Sequence, residues 1–229
     1  MIELELPEPD YEDLALADLA AVRGKGPGGS APLDGRVVLG GPHGFKITAA
    51  RVAADPEIAA FMDENADCEY YLLYLGVSFT AAPSPRLESA QLMLTLAAVP
   101  AAPAPFALSM KPLADGDPVS VKRTVTLGPE LKILDAADVK LGSAERETSR
   151  QRTDLAVRGL GLASATPGWE FTRTESRNLE GSCMLTMVVQ AAKDAKISVS
   201  GLVTARAGGN IARRFARDLP RPLDFTAAI

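Results

Sequence analysis

From Cys68 onward, the apolar residues of this chain recur at every second position. Leu185, Met187 and Val189 fall on one side of an extended backbone, with Met184, Thr186 and Val188 on the other. Ile197, Val199, Gly201 and Val203 continue the pattern, and Trp169 and Phe171 share a side opposite Glu170 and Thr172. A side chain changes face at each residue of a strand, so a period of two calls for sheet and excludes an amphipathic helix. The alternating segments are separated by turn residues at the spacing of a sandwich or barrel. The expected fold is mainly β: an antiparallel β-sandwich, or a barrel-like relative, of roughly eight to ten strands, with two short helices in the N-terminal third. Only 5% of the 229 residues are aromatic, so alanine, valine and leucine must fill most of the core.

Within this frame Glu69–Phe79 is apolar on both faces, as a central buried strand is. Leu87–Ala98 reads as strand, with Leu92, Leu94 and Leu96 on one face, although its Leu, Met, Ala and Gln also favour helix. Pro100, Pro103 and Pro105 make 99–105 an extended surface crossing. Val119–Leu127 alternates with Arg123 as its one interruption, Leu131–Leu141 reads as an interrupted strand, and Gly142–Arg150 as an exposed loop. In Thr153–Ala163 the apolar face switches after Val157, which suggests a β-bulge at Gly159. Asn178–Gly181 is a turn candidate, and Ala192–Lys196 a hairpin loop. Trp169 and Phe171, each with a large area to bury, are expected in the core.

The N-terminal third is mixed. Asp10–Val22 reads as a helix, capped by Asp10 and followed by the Gly-rich connector 24–30. Arg36–Leu39 and Phe45–Val52 read as two strands joined by a turn at 40–44. Asp55-Pro56-Glu57 is a helix start with an N-cap, a first-turn proline and an acid, and Ile58, Phe61 and Met62 line one face of a helix ending near Ala66. Three regions result: an acidic N-terminal helix and connector (1–30), a β-sandwich domain (31–206) and a basic C-terminal tail (207–229).

Charge follows the same division. The net charge of −5 is the sum of −9 over residues 1–115 and +4 over 116–229. Glu3, Glu5 and Asp13 belong to the acidic end, and Arg206, Arg213, Arg214, Arg217 and Arg221 to the basic one. These eight residues are the candidate docking groups for a protein partner or a second copy of the chain. The plainer reading is that the two ends pair within one chain or lie on solvated faces. An acidic balance and few aromatics in the basic segment argue against nucleic acid. No run approaches the ~20 apolar residues of a membrane-spanning helix, and residues 1–5 open no secretory signal, so a cytoplasmic location is expected. Alanine, glycine, proline and arginine usage has the look of a GC-rich bacterial genome.

The chemistry-bearing residues are few. His43 is the one histidine, placed between Pro42 and Gly44 where a turn residue, exposed or locally hydrogen-bonded, is expected. No G-x-S-x-G elbow is present. Cys68 and Cys183 stand alone, without a C-x-x-C pair, and read as thiols rather than a disulfide. Asp63, Glu64, Asp67 and Glu69 form the densest acidic cluster but lack the spacing and glycine of a calcium loop. The Gly-rich runs at 24–30 and 40–46 miss the phosphate-loop pattern. Neither catalytic nor metal residues are assigned, and no cofactor is expected. Arg123, Arg158 and Arg173 lie inside strand-like segments, where one of them can pair with a carboxylate across the sheet.

The leading expectation is therefore a non-enzymatic interaction or assembly module. A sandwich binding a small molecule or lipid between its sheets is the alternative, since Met93, Met110, Met184 and Met187 would make an adaptable lining. A carboxylate-dependent hydrolase using two of Glu69, Glu170 and Glu180 is the second.

Overall fold

The computed structural model describes residues 11–18, 33–52, 56–80, 86–99, 103–113, 125–126, 134–135, 156–174, 178–208, 213–218 and 223–224. Strands dominate: β1 (Tyr11–Asp18), β2 (Leu33–Ile47), β3 (Cys68–Phe79), β4 (Arg86–Val99), β5 (Phe106–Lys111), β6 (Val125–Thr126), β7 (Leu134–Asp135), β8 (Ala156–Leu160), β9 (Gly168–Thr172), β10 (Gly181–Ala192), β11 (Lys196–Gly208), β12 (Arg213–Asp218) and β13 (Leu223–Asp224). Ten of these have five or more residues. The one helix longer than a single turn among the described residues is α1 (Pro56–Glu64).

All pairings are antiparallel. Four strands in the order β5-β10-β3-β2 form one layer, five in the order β12-β11-β4-β9-β8 form the other, and β1 joins β2 to β12. The ladders of β3 with β10 and of β4 with β11 are the longest, running from Gly181↔Phe79 to Ala192↔Cys68 and from Lys196↔Val99 to Gly208↔Arg86. The path does not close as a barrel. Its ends approach through single backbone bonds: Gly159 donates to the Leu113 carbonyl (2.9 Å), and Ala107 exchanges bonds with Ala163 and Ser164. Between the layers lies the main core, with Leu73, Leu75 and Phe79 of β3, Leu92 and Leu94 of β4, and Trp169 and Phe171 of β9. Phe79 and Phe171 meet across it with ring centroids 5.0 Å apart.

The double apolar character of β3 has a simple cause. Its odd-numbered residues face the main core. Tyr70, Leu72 and Tyr74 face outward, where Ile58 of α1 covers them with Phe61 and Met62 half-buried at its flank. The Asp55-Pro56-Glu57 signal thus opens a real helix, which ends at Glu64. Leu87–Ala98 is strand, within β4.

Several sequence expectations are corrected. Of the two expected helices only α1 is present. Residues 11–18 form β1, not a helix, because ladders to β2 on one side and β12 on the other outweigh the local preference of Ala, Leu and Glu for helix. Leu16 is fully buried, just past a register shift in the ladder with β2. The expected turn at 40–44 does not reverse the chain. Val37–Gly40 and His43–Ile47 both pair with β3, with one extra residue between Gly40↔Gly76 and His43↔Tyr74. Residues 40–43 are therefore a bulge within one strand, with Gly41 at φ 92°. Past Ile47 the chain makes a helical turn at Ala49–Val52 where strand was expected. Gly159 is no bulge either: β8 runs in unbroken register from Ala156↔Thr172 to Leu160↔Gly168. A side chain at Gly159 would crowd Leu113 and Pro112 at 3.2 Å, so the glycine marks a close approach. The strand ends at Leu160, and the chain turns at Gly161 (φ 70°) and leaves Leu162 exposed.

Residues past 206 extend the sheet, since β11 continues to Gly208 and β12 and β13 both pair with it. The expectations for 24–30, 119–124, 142–150 and the prolines near residue 100 fall wholly or mainly outside the described residues.

Candidate functional site

The outer face of the four-stranded layer begins with β2, where His43, Phe45 and Ile47 alternate outward. His43 stacks on Tyr74 with ring centroids 5.1 Å apart, and Phe45 stacks on the same ring at 5.6 Å. Phe61 of α1 tilts onto Tyr70 at 5.7 Å. Three polar atoms are buried on this face with no hydrogen-bond partner: His43 Nε2, Tyr70 Oη and Ser109 Oγ. Ser109 shares the face because it lies opposite Val188 on β10. Burial, and to a lesser extent Cys68, pushes the Tyr70 phenol up to about 12. His43 is thus a strand residue with a buried ring nitrogen, not the exposed or locally bonded turn residue its neighbours suggested. The period-two row His43, Phe45, Ile47 is the signal in the sequence that could have placed it.

The main core treats its polar atoms differently. Trp169 Nε1 donates to the Pro112 carbonyl at 3.1 Å. Tyr71 Oη donates to Glu69 Oε2 at 2.7 Å, and Lys46 Nζ reaches Glu69 Oε1 at 2.6 Å. Burial alone would raise the Glu69 carboxyl. The hydrogen bonds from Lys46 and Tyr71, the Lys46 charge and a backbone bond at Asp194 outweigh it and hold the group below its usual range. Burial, with the Glu69 bond, pushes the Tyr71 phenol up.

The candidate acids are separated by this geometry. Glu69 lies on the core side of β3, opposite Ala191. Glu170 lies on the outer face of β9, where Gln91 donates to it at 3.1 Å and Arg158 pairs with it at 3.4 Å. This is the cross-sheet pair expected of one of the strand arginines. Glu69 and Glu170 therefore do not face each other. Asp63 and Glu64 are exposed at the end of α1, and no three His, Cys, Asp or Glu side chains gather as a metal site among the described residues. Cys68 and Cys183 are not joined in a disulfide and lie on opposite faces of their sheet: Cys183 is in the main core, while Cys68 flanks the helix layer and accepts a bond from Gln190 at 3.2 Å.

Of the eight docking candidates, Glu3, Glu5 and Arg221 lie outside the described residues. Asp13 sits in β1 opposite Val38, and Arg213 in β12 opposite Ala207. Arg206 and Arg214 are brought together, directly opposite each other on β11 and β12 and exposed. Arg206 Nε also pairs with Glu88 at 3.1 Å. Arg217 lies opposite Val203 and is exposed. The acidic and basic ends meet within the chain where Ala17 and Asp18 of β1 oppose Ala216 and Phe215 of β12.

The outer row of β12 reads Arg214, Ala216, Asp218, opposite Arg206, Thr204 and Leu202 of β11. The patch is basic at one end, small in the middle, and acidic and apolar at the other. Leu202 is 39% exposed and Val99, at the end of the neighbouring β4, 71%. No described helix lies over this face, and none in the described chain is long and apolar enough to cross a membrane.

No family model matches the chain, and no curated protein matches it. Among solved structures, the Clostridium perfringens NetB toxin in its membrane-inserted form is similar over 94% of this chain and 94% of that one, at 11% identity and a TM-score of 0.37. A likeness that slight does not establish a shared fold.

Proposed function

We propose that the chain is a non-catalytic β-sandwich module that associates with a second copy of itself through the outer face of β11 and β12. The observation that carries this reading is the polarity of that patch. A two-fold axis through Ala216 and Thr204 would set Arg214 of one copy against Asp218 of the other, with Leu202 covered beside it. Such self-complementarity is what an isologous contact requires, and opposed charges at its ends would fix its register. The pairing of β1 with β12 uses parts of both charged ends within one chain, which supports assigning the contact to this exposed face rather than to the termini.

Cutting the chain at residue 207 would remove β12 from the sheet and so cannot test the reading. A charge swap can. Light scattering of the wild-type chain should show a mass rising toward two chains with concentration. Arg214→Glu and Asp218→Arg should each abolish that rise, and the double variant should restore it. A wild-type chain that stays at one-chain mass, or single variants that associate as before, would overturn the reading.

A further inference from the structure

We propose that the layer between α1 and the four-stranded sheet binds a small, uncharged, ring-containing molecule that carries a hydroxyl or carbonyl group. This inference is separate from the association reading, and either can fail alone.

The argument begins with a contrast inside one molecule. In the main core the buried Trp169 and Tyr71 side chains each have a partner. On the face that α1 covers in part, Tyr70 is 1% exposed with its hydroxyl unpartnered, and Ser109 Oγ and His43 Nε2, on half-buried residues of the same face, are buried atoms that also have no partner. Each buried polar atom left without a partner costs about 1–3 kcal/mol. Three such atoms on one face are a large burden for a fold whose total stability is about 5–15 kcal/mol. A guest that accepts from Tyr70 and Ser109 would remove part of it.

The surroundings define the guest. No charged side chain is buried among the described residues, so an ionised guest would enter without a counter-charge, which is strongly unfavourable. The layer already holds near-parallel rings at His43, Tyr74 and Phe45, a surface suited to stacking. Its margin is adaptable. Phe61, Met62, Leu108 and Met184 are only partly buried against it, and methionine refits readily around a new shape. The cover itself is short, a nine-residue helix whose one fully buried side chain is Ile58.

The test uses 2-naphthol, with 2-naphthoate as its charged counterpart, against the full chain carrying labelled methionine methyl groups. Saturable shifts are expected at Met62 and Met184, which border the layer, and not at Met110 and Met187, which are buried in the main core. The carboxylate should bind about tenfold more weakly or worse. Tyr70→Phe should weaken 2-naphthol about fivefold while leaving the melting temperature of the ligand-free chain unchanged or higher, because it deletes an unpartnered hydroxyl. Ser109→Ala, which deletes the second unpartnered hydroxyl, should weaken 2-naphthol to a similar extent. Absence of saturable shifts at Met62 and Met184, equal binding of the carboxylate, or unchanged 2-naphthol affinity in both variants would overturn the proposal. So would a marked loss of ligand-free stability in Tyr70→Phe, since it would mean that the hydroxyl is already satisfied by water.

Discussion

The protein has two apolar layers separated by one sheet, and they are built to different standards. The layer between the sheets is sealed on both sides by strands. Its buried indole and phenol are hydrogen-bonded, and the carboxylate at its end is held by a lysine and a tyrosine. The layer under α1 is covered by a single short helix, rimmed by half-buried side chains, and retains three unpartnered polar atoms. Packing and polar satisfaction go together: where the cover is continuous, the polar groups are also accounted for. The main core therefore carries the stability of the fold, and the helix layer is where the molecule can yield.

Substitutions should separate the two layers by size of effect. The largest is expected for Trp169→Ala, which empties a fully buried site against Pro112 and should cost about 3–5 kcal/mol in urea unfolding. Phe61→Ala, on the half-buried side of α1, should cost about 1–2 kcal/mol by the same measurement, because less area leaves water on folding. Equal losses would erase the distinction between the layers. A finer comparison removes one oxygen from adjacent residues of β3. Tyr71→Phe takes a donor from Glu69 and should cost about 1–3 kcal/mol, whereas Tyr70→Phe takes an unpartnered group and should cost about nothing.

The smallest effects are in the pH dependence. The Glu69 carboxyl is held below its usual range in the folded chain. Its contribution is thus complete above the unfolded value near 4.5 and is lost as pH falls through the lower folded value. Glu69→Gln should flatten that acid limb of a stability-against-pH curve. At the other extreme Tyr70 is raised to about 12 from 10.0. The folded chain then holds a proton the unfolded chain gives up, so stability should fall as pH rises from 10 toward 12, and Tyr70→Phe should reduce the slope. An acid limb unchanged by Glu69→Gln would show that the Lys46–Glu69–Tyr71 cluster is not what ties the end of the core together.

Much of the main core was legible in the sequence. The alternation of Leu185, Met187 and Val189, and of Ile197 and Val199, reports burial directly, because in a strand facing a core the period and the burial pattern are one thing. The double apolar character of β3 announced cover on both faces. What covered the second face could be read only in part, from Ile58, Phe61 and Met62 at helical spacing. The errors fall where long-range partners decide. Asp10–Val22 is rich in helix formers, and nothing local reveals that residues 33–40 and 215–216 will flank it. The glycines at 40–44 and 159 look alike as punctuation, yet one set makes a bulge and the other a close approach, a difference set by what lies beside them. The arginines at 206, 213, 214, 217 and 221 were visible only as a basic run. That Arg206 and Arg214 share a face follows from the antiparallel register of the successive strands β11 and β12, which a basic run does not display.

The bridge made by β1 has a consequence for how the molecule is made. This strand lies between β2, its close successor in the chain, and β12, about 200 residues further on. During vectorial synthesis β1 can pair with β2 early, but its other edge stays open until Arg213–Asp218 has left the ribosome. The two layers are joined only then. Pairings between such distant segments are slow to form and leave an unpaired strand edge in the interval. The nascent chain is thus most exposed to aggregation along the edge that later becomes the seam of the sandwich.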